Sequence, residues 1–79
     1  MRFVNSSTRE RLREVTVLLK REEAQQLLVS LQDLLEGSAG HHVHVSDGEF
    51  RQELTLSLYS SQNLDSFDAA SRRIILEPD

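Results

Sequence analysis

Three histidines close together are the group of residues in this sequence with the greatest capacity for chemistry. They lie in the run His41-His42-Val43-His44-Val45. Because side chains alternate along a strand, His42 and His44 share one side of it, while His41 points to the other side. Two imidazoles on one side can be part of a zinc site, which needs three or four ligands. The run therefore has two interpretations: a polar strand face, which we favour, and a metal-binding pair formed by His42 and His44.

A second polar series lies in the next alternating run. Thr55, Ser57 and Tyr59 alternate there with leucines. This pattern is typical of the solvent-facing side of an antiparallel sheet. It is also compatible with a binding surface, since Tyr and His each have an apolar body and a polar tip. The candidate protein-binding residues are His42, His44, Thr55, Ser57 and Tyr59, and Asp47, Glu53 and Tyr59 are further candidates as metal ligands.

Catalysis has little support in the sequence. The chain has 79 residues and no cysteine, and it has three glycines. It therefore has no thiol nucleophile, and no motif places a serine beside a base. The residues after Gly40 are histidines rather than the Gly-Lys-Ser/Thr of a phosphate-binding loop. We expect a protein that is not an enzyme and that uses no cofactor.

The charge is unevenly distributed along the chain. The protein has 9 basic and 13 acidic residues, a net charge of −4 and a pI near 5.3. Residues 1–21 carry six basic and two acidic side chains, and residues 22–79 carry three and eleven. The basic segment has two interpretations: a solvated N-terminal arm over residues 1–13, or a nucleic-acid contact. The second is disfavoured because aromatic residues that could stack on bases are few and the pI of the chain is acidic. The acidic body favours a basic protein partner.

The composition also bears on where the protein is located in the cell and on how many domains it has. No apolar run approaches the ~20 residues that a membrane-spanning helix needs. The first residues lead into no apolar signal region, and the absence of cysteine excludes a disulfide framework. We expect one domain over residues 1–79, located in the cytoplasm.

The elements that would position the polar residues follow from hydrophobic spacing. Leucines recur at intervals of three and four residues, acidic residues lie at the start and Gly37 follows, which predicts a helix over residues 21–36. Alternation of Val15, Val17 and Leu19 predicts a strand over residues 14–20. Residues 41–45 and 50–60 predict an antiparallel hairpin around an Asp47-Gly48 turn. The remaining predictions are a short strand at Phe3–Val4, a glycine loop at residues 37–40, a short helix over residues 64–70 and a last strand over residues 72–76.

This order of elements predicts an α+β fold in two layers. One amphipathic helix would pack on a mixed, mostly antiparallel sheet of three to four strands. If the first two strands lie parallel, the connection through the helix should be right-handed. The sheet face away from the helix would then remain uncovered. It would carry Thr16 and Leu18 beside the five candidate binding residues.

The order of elements also resembles a known family. The run Val15-Thr16-Val17, the leucine-rich helix over residues 24–35 and the strand His42-Val43-His44-Val45 are similar to small immunity proteins of bacterial polymorphic-toxin systems, in particular immunity protein family thirty-two. The resemblance covers residues 14–60. It implies a non-enzymatic cytosolic protein that binds and blocks a cognate toxin, and many such toxins are basic nucleases. Two alternatives stay open: a homodimer that buries the same polar face, and a small metal-binding domain.

Overall fold

The computed structural model of the protein describes residues 1–38, 40–49 and 51–78. Ala39 of the predicted glycine loop and Phe50 of the predicted hairpin lie outside these residues. The α+β class is confirmed, and the chain divides into a central unit, Leu18–Tyr59, and a terminal unit, Met1–Val17 with Ser60–Asp79. The elements are β1 (Phe3–Val4), β2 (Arg11–Leu12), α1 (Arg21–Glu36), β3 (His42–Ser46), β4 (Glu53–Ser57), a 3-10 turn (Leu64–Ser66) and α2 (Ala69–Leu76).

Helix α1 in the central unit has the predicted bounds, and both of its ends are stabilised by local hydrogen bonds. At the start, the backbone N–H of Lys20 donates to the Glu23 carboxylate at 2.8 Å. At the end, Gly37 takes the left-handed conformation with φ 82°. The N–H groups of Gly37 and Ser38 then donate to the carbonyls of Leu34 and Asp33 at 3.3 and 3.2 Å. These two bonds form a Schellman motif, which accounts for the end of the helix at this glycine.

The predicted hairpin is also confirmed, although its second strand, predicted over residues 50–60, spans only Glu53–Ser57. Strands β3 and β4 pair antiparallel, with His44 opposite Thr55 and Val45 opposite Leu54. Helix α1 packs against β3, and Leu34, Val43 and Val45 are buried there. One face of the hairpin is therefore turned to the helix, and the other carries the polar side chains.

The sheet is narrower than predicted. Among the described residues there are two sheets of two strands each, rather than one sheet of three to four strands. Residues 14–20, predicted to be a strand, contain neither helix nor strand. The strand–helix–strand connection is therefore absent, and Thr16 and Leu18 are not part of the polar sheet face. Alternation shows which side chains would share a face, but a strand also needs hydrogen bonds to a neighbouring edge, and residues 14–20 pair with neither β3 nor β4.

The narrow sheet changes the burial of α1. Leu34 is 3% exposed, whereas Leu28, Leu31 and Leu35 remain exposed. The leucine stripe was expected to cover a wider sheet, and two strands cover only part of it. A set of apolar side chains on α1 therefore stays accessible.

In the terminal unit, residues 1–13 contain a hairpin where a basic arm was expected. Strands β1 and β2 pair antiparallel, with Phe3 opposite Leu12, which confirms the predicted strand at Phe3–Val4. The Asn5 side chain accepts the backbone N–H groups of Ser7 and Thr8 at 2.9 and 3.0 Å, as in an Asx turn. Arg9 has a positive φ of 63° at the end of this turn.

Helix α2 replaces the strand predicted over residues 72–76. It begins after Asp68, whose carbonyl accepts the N–H of Arg72 at 3.0 Å, and it buries Ile74. The pair Ala69-Ala70 favours helix and outweighs the β-branched Ile74-Ile75. The helix predicted over residues 64–70 is also wrong in its bounds, because a 3-10 turn at Leu64–Ser66 is followed by extended Phe67. Leu64 and Phe67 in this stretch are half-buried.

Arginines tie the hairpin of the terminal unit to the end of α2. The Arg2 guanidinium donates to the carbonyls of Ile74 and Glu77 at 3.2 and 2.9 Å. Arg11 donates to the carbonyl of Pro78 at 3.0 Å and lies 3.5 Å from the Glu77 carboxylate. Positive charge is favourable at the carbonyl end of a helix, so these contacts stabilise both elements.

Candidate functional site

The hairpin of the central unit presents one face that α1 does not cover. His42, His44, Thr55 and Ser57 are all exposed on this face. They form two directly opposed pairs, His42 with Ser57 and His44 with Thr55. The structure therefore brings together four of the five predicted binding residues. We call these four residues the polar face.

Tyr59, the fifth predicted residue, lies just beyond the paired strands. The backbone N–H of Leu58 donates to the His41 carbonyl at 2.9 Å, which extends the hairpin by one bond past Ser57. Tyr59 follows this bond and is exposed. The single tyrosine of the chain therefore lies at the end of the hairpin that carries His42.

His44 has the most defined surroundings on the polar face. Its Nδ1 lies 2.9 Å from the Thr55 hydroxyl and also contacts the Glu53 carboxylate. When the ring carries a proton on Nδ1, it donates to these oxygens, and a fully protonated ring forms an ion pair with Glu53. About half of each of the His44 and Glu53 side chains is exposed, so their contact orients the imidazole and contributes little to the folding free energy.

The rings of the three histidines form a row, with His41 just before β3 and His42 and His44 on it. The ring centroids of His41 and His42 are 5.0 Å apart, and those of His42 and His44 are 5.2 Å apart, both edge-to-face. Such contacts hold the rings in defined orientations. Within the part of the chain that the structure describes, no group of three or more His, Cys, Asp or Glu side chains could hold a metal ion. The predicted pair His42 and His44 is thus a neighbouring pair of rings without a complete ligand set.

An acidic cleft of about 440 Å³ borders the polar face at His44. The beginning of α1 contributes Glu22 and Glu23, and the hairpin turn contributes Asp47. The Asp47 carboxylate accepts the backbone N–H of Arg51 at 2.7 Å, which fixes its position. The sequence indicated Glu22 and Glu23 only as favourable residues at a helix start. Their approach to Asp47 depends on how α1 packs on β3, so no local pattern revealed the cleft. The lining residues are Glu22, Glu23, Gln26, His44, Ser46, Asp47 and Gly48.

The central unit carries the whole net charge of the protein. It has three basic and seven acidic residues, whereas the terminal unit has six of each. The polar face and the acidic cleft therefore lie in a unit with a charge of −4. A surface of this sign attracts positively charged partners.

Comparisons with known proteins identify no relative: no protein-family model, no curated protein and no solved structure matches the chain. The resemblance to immunity proteins therefore stays a prediction. Among the described residues, no helix has the length and apolar character that crossing a membrane requires.

Proposed function

We propose that the protein is a non-enzymatic binding module that inhibits a basic protein partner through its polar face. The observation that carries this proposal is the exposure of His42, His44, Thr55 and Ser57 on the one side of the hairpin that α1 leaves uncovered. Short polar side chains and imidazoles offer hydrogen-bond donors and acceptors to a partner. Because these side chains project from paired strands, little backbone conformational entropy is lost when a partner binds them.

The anchoring of the hairpin supports a role in recognition. Val43 and Val45 are buried against α1, so the opposite side of β3 is held in place. The histidine row and Tyr59 add rings, and aromatic residues are enriched at the centres of protein interfaces. The polar face is thus a preorganised surface with exposed hydrogen-bonding groups.

The acidic cleft supports a basic partner. Glu22, Glu23 and Asp47 surround a space of about 440 Å³ beside His44. Lysine or arginine side chains of a partner would enter this space while other groups contact the polar face. Complementary charge accelerates association and aligns the two proteins.

The resemblance to immunity protein family thirty-two supports the partner class. Under this proposal the partner is a basic toxin, such as a nuclease, and inhibition takes place in the cytoplasm by steric blocking. No catalytic group of this chain takes part. Two functions compete with this one. The first is a homodimer that buries the polar face, and the second is a metal site at His42 and His44. Either would make the same surface unavailable to a toxin.

Affinity capture with variants of the polar face tests the proposal. Tagged protein is incubated with host lysate, and captured proteins are identified by mass spectrometry. We expect one stoichiometric basic protein. The triple variant His42→Ala/His44→Ala/Tyr59→Ala should lose it while keeping the circular dichroism spectrum of the wild type. Capture should also weaken at high ionic strength, because salt screens exposed charges.

A matched control is provided by α1. Gln25 and Gln32 are exposed on the helix and line neither the polar face nor the cleft, so Gln25→Ala/Gln32→Ala should capture the partner normally. Equal capture by the triple variant and the wild type would refute the use of the polar face. Zinc binding detected by calorimetry and lost in the triple variant would support the metal alternative instead.

A further inference from the structure

Residues Glu14–Lys20, which we call the ribbon segment, have the pattern of a strand but no strand partner among the described residues. Val15, Val17 and Leu19 alternate, and they are 42%, 48% and 41% exposed. The segment contains neither helix nor strand in the single chain. Its apolar side chains and the backbone groups of residues 14–19 are therefore available for pairing, whereas the backbone N–H and carbonyl of Lys20 bond to Glu23 and Ala24 at the start of α1.

The ribbon segment is complementary to itself when two copies run antiparallel. With Val17 opposite Val17 of the second copy, Val15 lies opposite Leu19 and Glu14 lies opposite Lys20. All the apolar pairs then share one face, because side chains alternate along a strand. We propose that two copies of this chain associate through an antiparallel two-stranded ribbon whose two-fold axis passes at Val17.

Charge at the ends of the ribbon selects this arrangement. Antiparallel pairing places Glu14 of each copy opposite Lys20 of the other, so the interface has two opposite-charge pairs. Parallel pairing would place Glu14 opposite Glu14 and Lys20 opposite Lys20, and like charges directly opposite are destabilising. A two-fold axis also uses the same surface on both copies, as most homodimers do.

The boundaries of the ribbon are set by the structure. Helix α1 begins at Arg21, and the Glu23 carboxylate holds the backbone N–H of Lys20 at 2.8 Å. Lys20 itself is extended, with φ −74° and ψ 163°, so the chain enters the helix from a strand-compatible conformation. At the other end, β2 ends at Leu12. The segment between has the length of an ordinary strand.

A single cysteine at the axis tests the geometry. The protein has no natural cysteine, so Val17→Cys introduces a unique thiol. Residues directly opposite in antiparallel strands have Cα atoms about 4.5–5.5 Å apart, which is within the range of a disulfide. We expect Val17→Cys to form a covalent dimer under mild oxidation. Thr16→Cys is the matched control, because Thr16 lies opposite Leu18 and its thiol should cross-link at least about tenfold more slowly.

Reversal of the end charges tests the register. Glu14→Lys and Lys20→Glu should each weaken dimerisation about tenfold in sedimentation equilibrium, since two attractive pairs become repulsive. The double variant should restore the affinity of the wild type. The helix start should survive Lys20→Glu, because the Glu23 carboxylate binds the backbone of Lys20, and circular dichroism checks this. A double variant as weak as the single variants would overturn the proposed register.

Two further outcomes separate this dimer from other associations. Mixing Val17→Cys with Ser57→Cys tests whether the segment adds to β4 instead, and preferential formation of that heterodimer would overturn the proposal. The variant His42→Ala/His44→Ala/Tyr59→Ala should dimerise like the wild type. Loss of the dimer in this variant would show that the polar face, rather than the ribbon segment, joins the copies.

Discussion

The two units of the protein use charge in different ways. In the terminal unit, six basic and six acidic residues balance, and Arg2, Arg9 and Arg11 all contact residues of or beside α2. In the central unit, seven acidic residues exceed three basic ones. The ion pair of Arg51 with Glu49 and the contact of His44 with Glu53 lie at exposed side chains of this unit.

This difference indicates which charges stabilise the fold and which remain for a partner. Guanidinium groups that bind helix carbonyls are half-buried and hold the terminal unit together. The acidic groups Glu23 and Asp47 at the open cleft accept backbone N–H groups, and their negative charge still attracts external cations. The central unit is therefore stabilised chiefly by apolar packing, and the terminal unit depends more on its arginines. Three predictions test this division.

The largest effect is expected from Leu34→Ala in the central unit. Leu34 is 3% exposed beside the buried Val43 and Val45, so its truncation leaves a cavity between α1 and β3. We expect a loss of about 3 kcal/mol in the free energy of unfolding. Hydrogen exchange of the backbone amides of α1 and β3 measures this loss.

The neighbouring leucine provides the control for Leu34. Leu35 is 75% exposed, and Leu35→Ala should change the stability by less than about 0.5 kcal/mol. Equal effects of the two substitutions would contradict a central unit stabilised by the α1–β3 contact. The same conclusion would follow if the α1 amides of Leu34→Ala kept their protection from hydrogen exchange up to high urea concentrations.

A smaller effect is expected from Arg2→Ala in the terminal unit. Its guanidinium donates to the carbonyls of Ile74 and Glu77 at the end of α2. We expect the loss of these half-buried, charged bonds to reduce the protection of the α2 amides by about 1.5 kcal/mol. Arg13 is exposed, and the described residues give it no ion pair or hydrogen bond, so Arg13→Ala should leave α2 unchanged. If both variants behave alike, the arginine contacts do not stabilise this unit.

The sequence was sufficient to predict an element of the fold where the residues that specify the element lie close together in the chain. Helix α1 was predicted with its bounds because the leucine spacing, the acidic first turn and Gly37 all act within a few residues. The hairpin was predicted for a similar reason, since alternation and the Asp47-Gly48 turn specify it. Four residues of the polar face followed directly from that alternation.

The sequence was insufficient where the outcome depends on distant partners. The ribbon segment alternates like a strand, yet no neighbouring edge is assigned by any local pattern. The acidic cleft likewise depends on the packing of α1 on β3. The contact of Arg2 with Ile74 joins residues 72 positions apart, so a basic segment at the N-terminus was interpreted as an arm. Helix α2 is different, because Asp68 followed by two alanines was a usable local signal for its start.

The smallest effect is expected from acid in the terminal unit. A hydrogen bond from Ser71, and then one from the Arg9 guanidinium, lower the pKa of Asp68 from 3.8 to about 2. A carboxyl group whose pKa is lower in the folded state contributes stability above its unfolded pKa, and this contribution disappears as the pH falls towards the folded pKa. The protection of the α2 amides in the wild type should therefore exceed that in Asp68→Asn at pH 6, and the difference should vanish between about pH 4 and pH 2. If the difference in α2 amide protection between wild type and Asp68→Asn is constant with pH, the Asp68 side chain acts by shape rather than by charge. The terminal unit would then depend less on ionic contacts than the contacts of its arginines indicate.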